Sequence, residues 1–259
     1  MYRNYLFDLY GTLIDIHTDE TPAGLWRQMA GIYARRGADY SPKELHAAYL
    51  RICAEEIEKK REETGSRWPE PDIGVVFRRL YLEAPKHHAA GLEIGDAVIQ
   101  MTADAFRTLS MKRLKLYPHT AAVLKKLREQ GKHLYLLSNA QNLFTIPELE
   151  QLGILPLFEA VYISSDRGVK KPDPAFMEML LQEQNLDPAE CLMIGNDLDT
   201  DMESAARCGV RGVFLNTYNV PLEEVKKWKE DLTAEGITLD IQLAMTGDIR
   251  VLLRRSQDA

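Results

Sequence analysis

Apolar positions recur along the chain with two rhythms, one near the amino terminus and in the second half, the other between them. Tyr5-Leu6-Phe7 is a short apolar run that meets Asp8 and then Gly11-Thr12, the pattern of a buried strand ending in a tight turn. From about 21 to about 112 the spacing becomes helical. Leu25, Met29, Ile32 and Tyr33 fall at i, i+4, i+7 and i+8, and Leu45, Tyr49, Ile52, Cys53 and Ile57 follow the starter Ser41-Pro42. Beyond a Pro- and Gly-marked boundary around 65–74, Val76, Leu80 and Tyr81, then Ala97, Met101, Ala105 and Leu109, continue it. This stretch contains no convincing strand and predicts an all-helical insert.

After Tyr117-Pro118 the pattern alternates. It predicts helices over 120–130, 147–152, 174–185 and 200–208, interleaved with strands over 133–137, 160–163, 191–194 and 212–215. Such alternation means crossover units and a parallel sheet. The tail, 222–259, holds one amphipathic stretch, then 249–253 and a basic polar end with Arg254-Arg255, and the pattern does not place it. No internal repeat appears.

The chain has 259 residues, 45% hydrophobic and 27% charged, which fits a soluble globular protein and excludes disordered and fibrous classes. At roughly 150 residues per domain, this length suits one large domain or a domain with a second module. No apolar run approaches the ~18 residues of a spanning helix, and Asp8 interrupts the amino terminus too early for a signal peptide, so a cytoplasmic protein without membrane contact is expected. The net charge of −7 argues against nucleic acid as a partner. Cys53, Cys191 and Cys208 form no C-x-x-C pair, so neither a disulfide framework nor a thiolate zinc site is indicated.

In open parallel sheets reactive groups gather beyond the carboxyl ends of the strands. Reading onward from each predicted strand collects Asp8-Leu9-Tyr10-Gly11-Thr12, Ser138-Asn139, Lys170-Lys171-Pro172 and Gly195-Asn196-Asp197-Leu198-Asp199-Thr200-Asp201. The set joins a carboxylate, a hydroxyl, a cation and an acidic cluster.

This ordered set, spanning about residues 5–217, resembles the haloacid dehalogenase-like hydrolase superfamily, in its helical-cap branch. The resemblance implies a doubly wound, Rossmann-like α/β core over 1–15 and 113–220, a helical cap over 16–112 and a core extension over 221–259. It also implies that Asp8 is the nucleophile of a Mg²⁺-dependent hydrolase, forming an aspartyl-phosphate with a small phosphorylated metabolite. Ser138 and the Asn139 amide would bind a phosphoryl oxygen, Lys171 (or, as the lesser alternative, Lys170) would neutralise the nucleophile and the transferring group, and Thr12 would fix the loop. The Mg²⁺ ligands would be Asp8, the Tyr10 carbonyl, and Asn196, Asp197 or both, with Asp201 orienting the lysine.

Two departures matter. The family places Asp after the Gly of the last motif, where this chain has Asn196, and phosphatases carry a second Asp where this chain has Tyr10. A phenol with a pKa near ~10 donates a hydrogen bond but is a poor base at neutral pH. Asp-x-Tyr-Gly-Thr is also the pattern of metal-free 2-haloacid dehalogenases, which stand as the alternative, although the retained Asp197, Asp199 and Asp201, and Met177 where those enzymes carry Tyr, weigh towards phosphoryl transfer. A degenerate, ligand-binding regulator is a third reading.

Several residues have plainer explanations. Asp199 and Glu203 suit a helix amino terminus, Asp15 and His17 a hinge into the cap, Trp26 and Trp68 the cap core or cleft wall. His87-His88, His119, Arg35-Arg36 and Arg254-Arg255 suit solvated surface, and nothing chooses between Arg27 and Arg51 as an anion binder. The sequence is compatible with a monomer or a homodimer.

Overall fold

A computed structural model of the chain describes residues 2–87 and 93–254. In chain order the elements are β1 (Asn4–Phe7), β2 (Ile14–Thr18), α1 (Ala23–Ala34), β3 (Ala38–Asp39), α2 (Pro42–Thr64), α3 (Ile73–Leu82), β4 (Lys86–His87), α4 (Asp96–Ser110) and β5 (Met111–Leu116). Then come α5 (Thr120–Glu129), β6 (His133–Ser138), α6 (Asn142–Gln151), β7 (Ala160–Ile163), α7 (Ser164–Arg167), α8 (Pro174–Glu183), β8 (Cys191–Gly195), α9 (Glu203–Arg207), β9 (Arg211–Leu215), α10 (Leu222–Ala234), β10 (Ile241–Ala244) and α11 (Val251–Arg254).

Six strands form one sheet in the order β10-β9-β8-β1-β6-β7, every neighbouring pair parallel. Such strands are buried on both faces, and their residues sort by parity. Tyr5, Phe7, Leu134, Leu136, Leu192 and Ile194 belong to one apolar cluster, whereas Leu6, Tyr135, Leu137, Cys191 and Met193 belong to another. The chain runs from β1 outward through β6 and β7, then returns to the opposite side of β1 with β8. That reversal opens a crevice outside the carboxyl ends of β1 and β8, where α/β folds place their ligands.

Helices α1–α4 pack around a third apolar cluster, to which α6 contributes Phe144. A capping box between Ser41 and Glu44 starts α2, and Gly65, in the left-handed conformation, stops it. The expected all-helical insert is interrupted. The two-residue strands β3 and β4 pair within it, and an antiparallel ribbon of β2 with β5 joins it to the sheet. The ribbon was hidden because Ile14-Asp-Ile-His-Thr18 is short and its partner lies almost a hundred residues on, so no local turn signal marks the pair.

Another boundary moves. The helix expected from Pro147 begins at Asn142. Pro147 cannot donate to the Leu143 carbonyl, and Gln100 Nε2 of α4 takes that acceptor at 3.1 Å, so the proline is accommodated inside the helix. The tail supplies α10 and a sixth strand, β10, parallel to β9. His88 and Arg255, each one half of a pair expected at the surface, lie outside the described residues.

Candidate active site

The carboxyl ends of β1, β6 and β8 and the loop after α7 bring Asp8, Ser138, Asn196 and Lys171 together. Lys171 is almost wholly buried, and its ammonium donates to Asp8 Oδ1 at 2.8 Å, Asp201 Oδ1 at 2.6 Å and the Leu137 carbonyl at 2.7 Å. A buried lysine survives only when such partners replace its hydration. Burial alone would lower its pKa, but Asp201 and Asp8 outweigh that and hold it above the ordinary lysine value. Two carboxylates face this one cation, so burial, together with the charge of Asp8, raises Asp201 to about 7.

Asp201 also accepts from the backbone N–H groups of Asn196 and Asp197, at 3.0 and 3.1 Å, which pins the acidic loop under the lysine. Gly195 makes this possible, because any Cβ there would overlap the Asp201 carboxylate. The side chain of Asn139 clamps the Lys171 backbone from both sides: Nδ2 donates to its carbonyl and Oδ1 accepts from its amide, each at 2.9 Å. Lys170 points elsewhere and pairs with Glu70 at 3.1 Å.

Thr12 Oγ1 lies 3.0 Å from both Asp8 Oδ2 and Asn196 Oδ1. One hydroxyl proton cannot serve two acceptors. The pair is therefore a convergence of hard oxygens short of a donor, which suits a small divalent cation. Asp197, by contrast, is exposed and spends Oδ1 on the Thr200 amide at 3.0 Å, as the cap of the following turn. Among the described residues no group of three His, Cys, Asp or Glu side chains could hold a metal. A cation here would rest on one carboxylate, an amide oxygen and the backbone. The Ser138 hydroxyl oxygen is buried and, among the described residues, has no hydrogen-bond partner, a state that costs about 1–3 kcal/mol unless a ligand satisfies it.

Tyr10, expected among the catalytic groups, has its phenol committed to α6. It donates to Glu148 Oε2 at 2.5 Å and meets Thr145 Oγ1 at 3.1 Å. Burial first, and then the Glu148 charge, push its pKa well above the phenol range, which removes it as a base. Glu148 in turn holds Arg107 of α4, Nε to Oε1 at 2.5 Å, and the guanidinium lies 4.9 Å from the centre of the Phe144 ring. Sequence reasoning missed this network because its members are up to 138 residues apart and none carries a local motif.

A second link crosses from the insert. Residues 66–73 lie along the loops bearing Asn139 and Lys171: the Glu70 amide donates to the Gly168 carbonyl at 3.0 Å, the Lys170 amide to the Trp68 carbonyl at 3.0 Å, and Gln141 Nε2 to Glu70 Oε1 at 2.8 Å. Among the other candidates, Asp15 pairs with Arg113 and Lys115 across the ribbon, Trp26 is buried against His46 within the insert, Arg51 is tied to Glu55 and Glu83 at the surface, and Glu203 pairs with Arg207.

Comparison with known proteins places this arrangement in context. The family model of the haloacid dehalogenase-like hydrolases matches residues 2–209. A glyceraldehyde 3-phosphate phosphatase of Pyrococcus abyssi is 29% identical over 216 residues, covering 83% of this chain and 82% of that protein. A phosphoserine phosphatase of Thermus thermophilus is 29% identical over 154 residues, covering 58% of this chain; the matched part spans 56% of that enzyme. The crystal structure of a 2-haloacid dehalogenase from Pseudomonas syringae superposes with a TM-score of 0.56 at 19% identity, over 90% of this chain and all of that one, a likeness of fold. Among the described residues no helix is long and apolar enough to cross a membrane.

Proposed function

The chain belongs to the haloacid dehalogenase-like hydrolases, and on that footing we propose that it is a phosphatase of small phosphorylated metabolites, with Asp8 as nucleophile. The observation that carries this reading is the buried Lys171 bridging Asp8 and Asp201 beside the unpartnered Ser138 hydroxyl. Ser138 donates to a phosphoryl oxygen of the bound ester, and Lys171 offsets the charge that the ester brings to the carboxylate. An Asp8 oxygen forms a bond to phosphorus as the bond to the leaving oxygen breaks; water then attacks phosphorus, phosphate departs and Asp8 is restored. Asp201 and Asn139 hold the lysine, and Thr12 holds Asp8.

Asp8, Asn196 and the Tyr10 carbonyl are the groups that would hold Mg²⁺, while Asp197 acts as a turn cap. The cation, when bound, supplies further neutralisation between the anionic ester and the carboxylate. Tyr10 serves to anchor the loop through Glu148. The curated relatives named for phosphoserine and glyceraldehyde 3-phosphate support phosphomonoesters of small metabolites as the substrate class. The helical insert over 16–112 acts as the cap that covers the ester, and its strap, 66–73, is already seated beside Lys171.

Release of inorganic phosphate from a panel of such esters, with Mg²⁺ and with excess EDTA, tests the proposal. Mg²⁺-dependent release is expected. Asn196 favours a second reading, because an amide there lowers the negative charge beside Asp8 as a metal-free 2-haloacid dehalogenase would need. Halide release from chloroacetate in EDTA, without phosphatase activity, would establish that reading instead.

A further inference from the structure

Tyr10, whose phenol is committed to Glu148, is not free to assist the departing oxygen. The loop after β9 carries another phenol to the same place. Tyr218 Oη and Asn196 Nδ2 stand 2.6 and 2.5 Å from the point where a Cβ on Gly11 would sit. Gly11, with φ of +88°, therefore leaves room for both groups next to Tyr10. The Asn196 amide and the Tyr218 hydroxyl thus share the space beside Gly11, and Asp8 lies near enough for its charge to bear on the phenol.

The loop is firmly held. Thr217 Oγ1 donates to the Gly11 carbonyl at 2.6 Å, and the buried Asn216 closes the turn by donating to the Val220 carbonyl at 2.8 Å and accepting from the Val220 amide at 2.7 Å. The Tyr218 residue nonetheless remains 62% exposed. Its hydroxyl lies beside the Gly11 turn while much of the residue stays open to solvent. With the donor Nδ2 of Asn196 beside its oxygen, the phenol can turn its proton to an acceptor from outside the protein.

We propose that Tyr218 is a substrate-contacting residue of the Asp8 site, whose hydroxyl donates a hydrogen bond to the leaving oxygen of phosphomonoesters of aliphatic alcohols. This rests on the phosphatase reading above. An aliphatic oxygen departs with a high demand for such a donor, whereas p-nitrophenolate is stable as an anion and has little.

The experiment compares the unmodified protein with Tyr218→Phe on β-glycerol phosphate and on p-nitrophenyl phosphate. Loss of one hydrogen bond to a developing charge should lower kcat/KM on the aliphatic ester at least about tenfold and on the aryl ester by no more than ~2-fold. Equal losses on both esters, or no loss on either, would overturn the assignment while leaving the phosphatase reading intact. Failure of the unmodified protein to hydrolyse either ester would overturn both. Because the residue is largely exposed, the variant should keep the parental melting temperature, so a loss of activity is not a loss of fold.

Discussion

Arg107→Met would strand a carboxylate. Glu148 is 4% exposed at its side chain and Arg107 15%, so their ion pair, bridging α4 and α6, is largely withdrawn from water. Removing one member of a buried pair costs about 3–5 kcal/mol, whereas replacing both by uncharged groups of similar volume is often nearly neutral. Tyr10 still donates to Glu148, which places the single variant at the lower end, about 3 kcal/mol. For a chain of this size that is a fall of roughly 6–10 °C in melting temperature. Arg107→Met with Glu148→Gln should recover most of it, so that, with any cost of Glu148→Gln alone added, the coupling in a double-mutant cycle is at least about 2 kcal/mol. Urea unfolding of the four proteins measures the cycle. Additive losses, or a single variant as stable as the parent, would refute the claim that the charge pair, rather than side-chain packing, ties the insert to the Tyr10 loop.

Asp201 sets a pH dependence. Its folded-state pKa, about 7, exceeds the unfolded value of about 3.9, so the folded protein holds a proton that the unfolded chain has released. That contribution is fully present below about pH 4 and is lost as pH rises through 7; melting temperatures should decline across this window, and Asp201→Asn should flatten the slope. An unchanged slope would count against the shift. Asn196→Asp should tighten Mg²⁺ binding at least about tenfold, by adding a carboxylate to a set with only Asp8, as read by calorimetric titration at constant ionic strength. No change in affinity would remove residue 196 from the cation site. Ser138→Ala should weaken competitive inhibition by inorganic phosphate roughly fivefold or more, and undiminished inhibition would show that the buried hydroxyl does not meet the phosphoryl group.

How much of this was legible in the sequence follows from the range of each interaction. Strands β1, β6, β7, β8 and β9 were readable because a parallel strand is a short apolar run set between turn and helix signals. The residues that follow them were readable because the fold gathers strand ends at one edge. The helical insert announced itself through its spacing. Other features depend on distant partners. The β2–β5 ribbon and β10 are strands by virtue of what they pair with, and Ile241–Ala244 is too short to stand out alone. Glu148, Thr145 and Arg107 look like ordinary helical positions, and Tyr218 an ordinary loop residue, until folding brings them to Tyr10 and Gly11. The same holds for the Asn139 side chain, which serves the distant Lys171 backbone.

The most direct measurement is the fate of Asp8 in a single turnover. Acid-quenched protein, after mixing with a radiolabelled phosphomonoester, should carry the phosphoryl group on the peptide containing Asp8. Turnover in heavy-oxygen water should place the solvent oxygen in the released phosphate and leave the Asp8 carboxylate unlabelled. Absence of a phosphorylated peptide, or label retained when Asp8 is replaced by Asn, would contradict the account. Heavy oxygen appearing in the Asp8 side chain would instead mean water attack at the carboxyl carbon, the chemistry of an ester rather than an acyl phosphate.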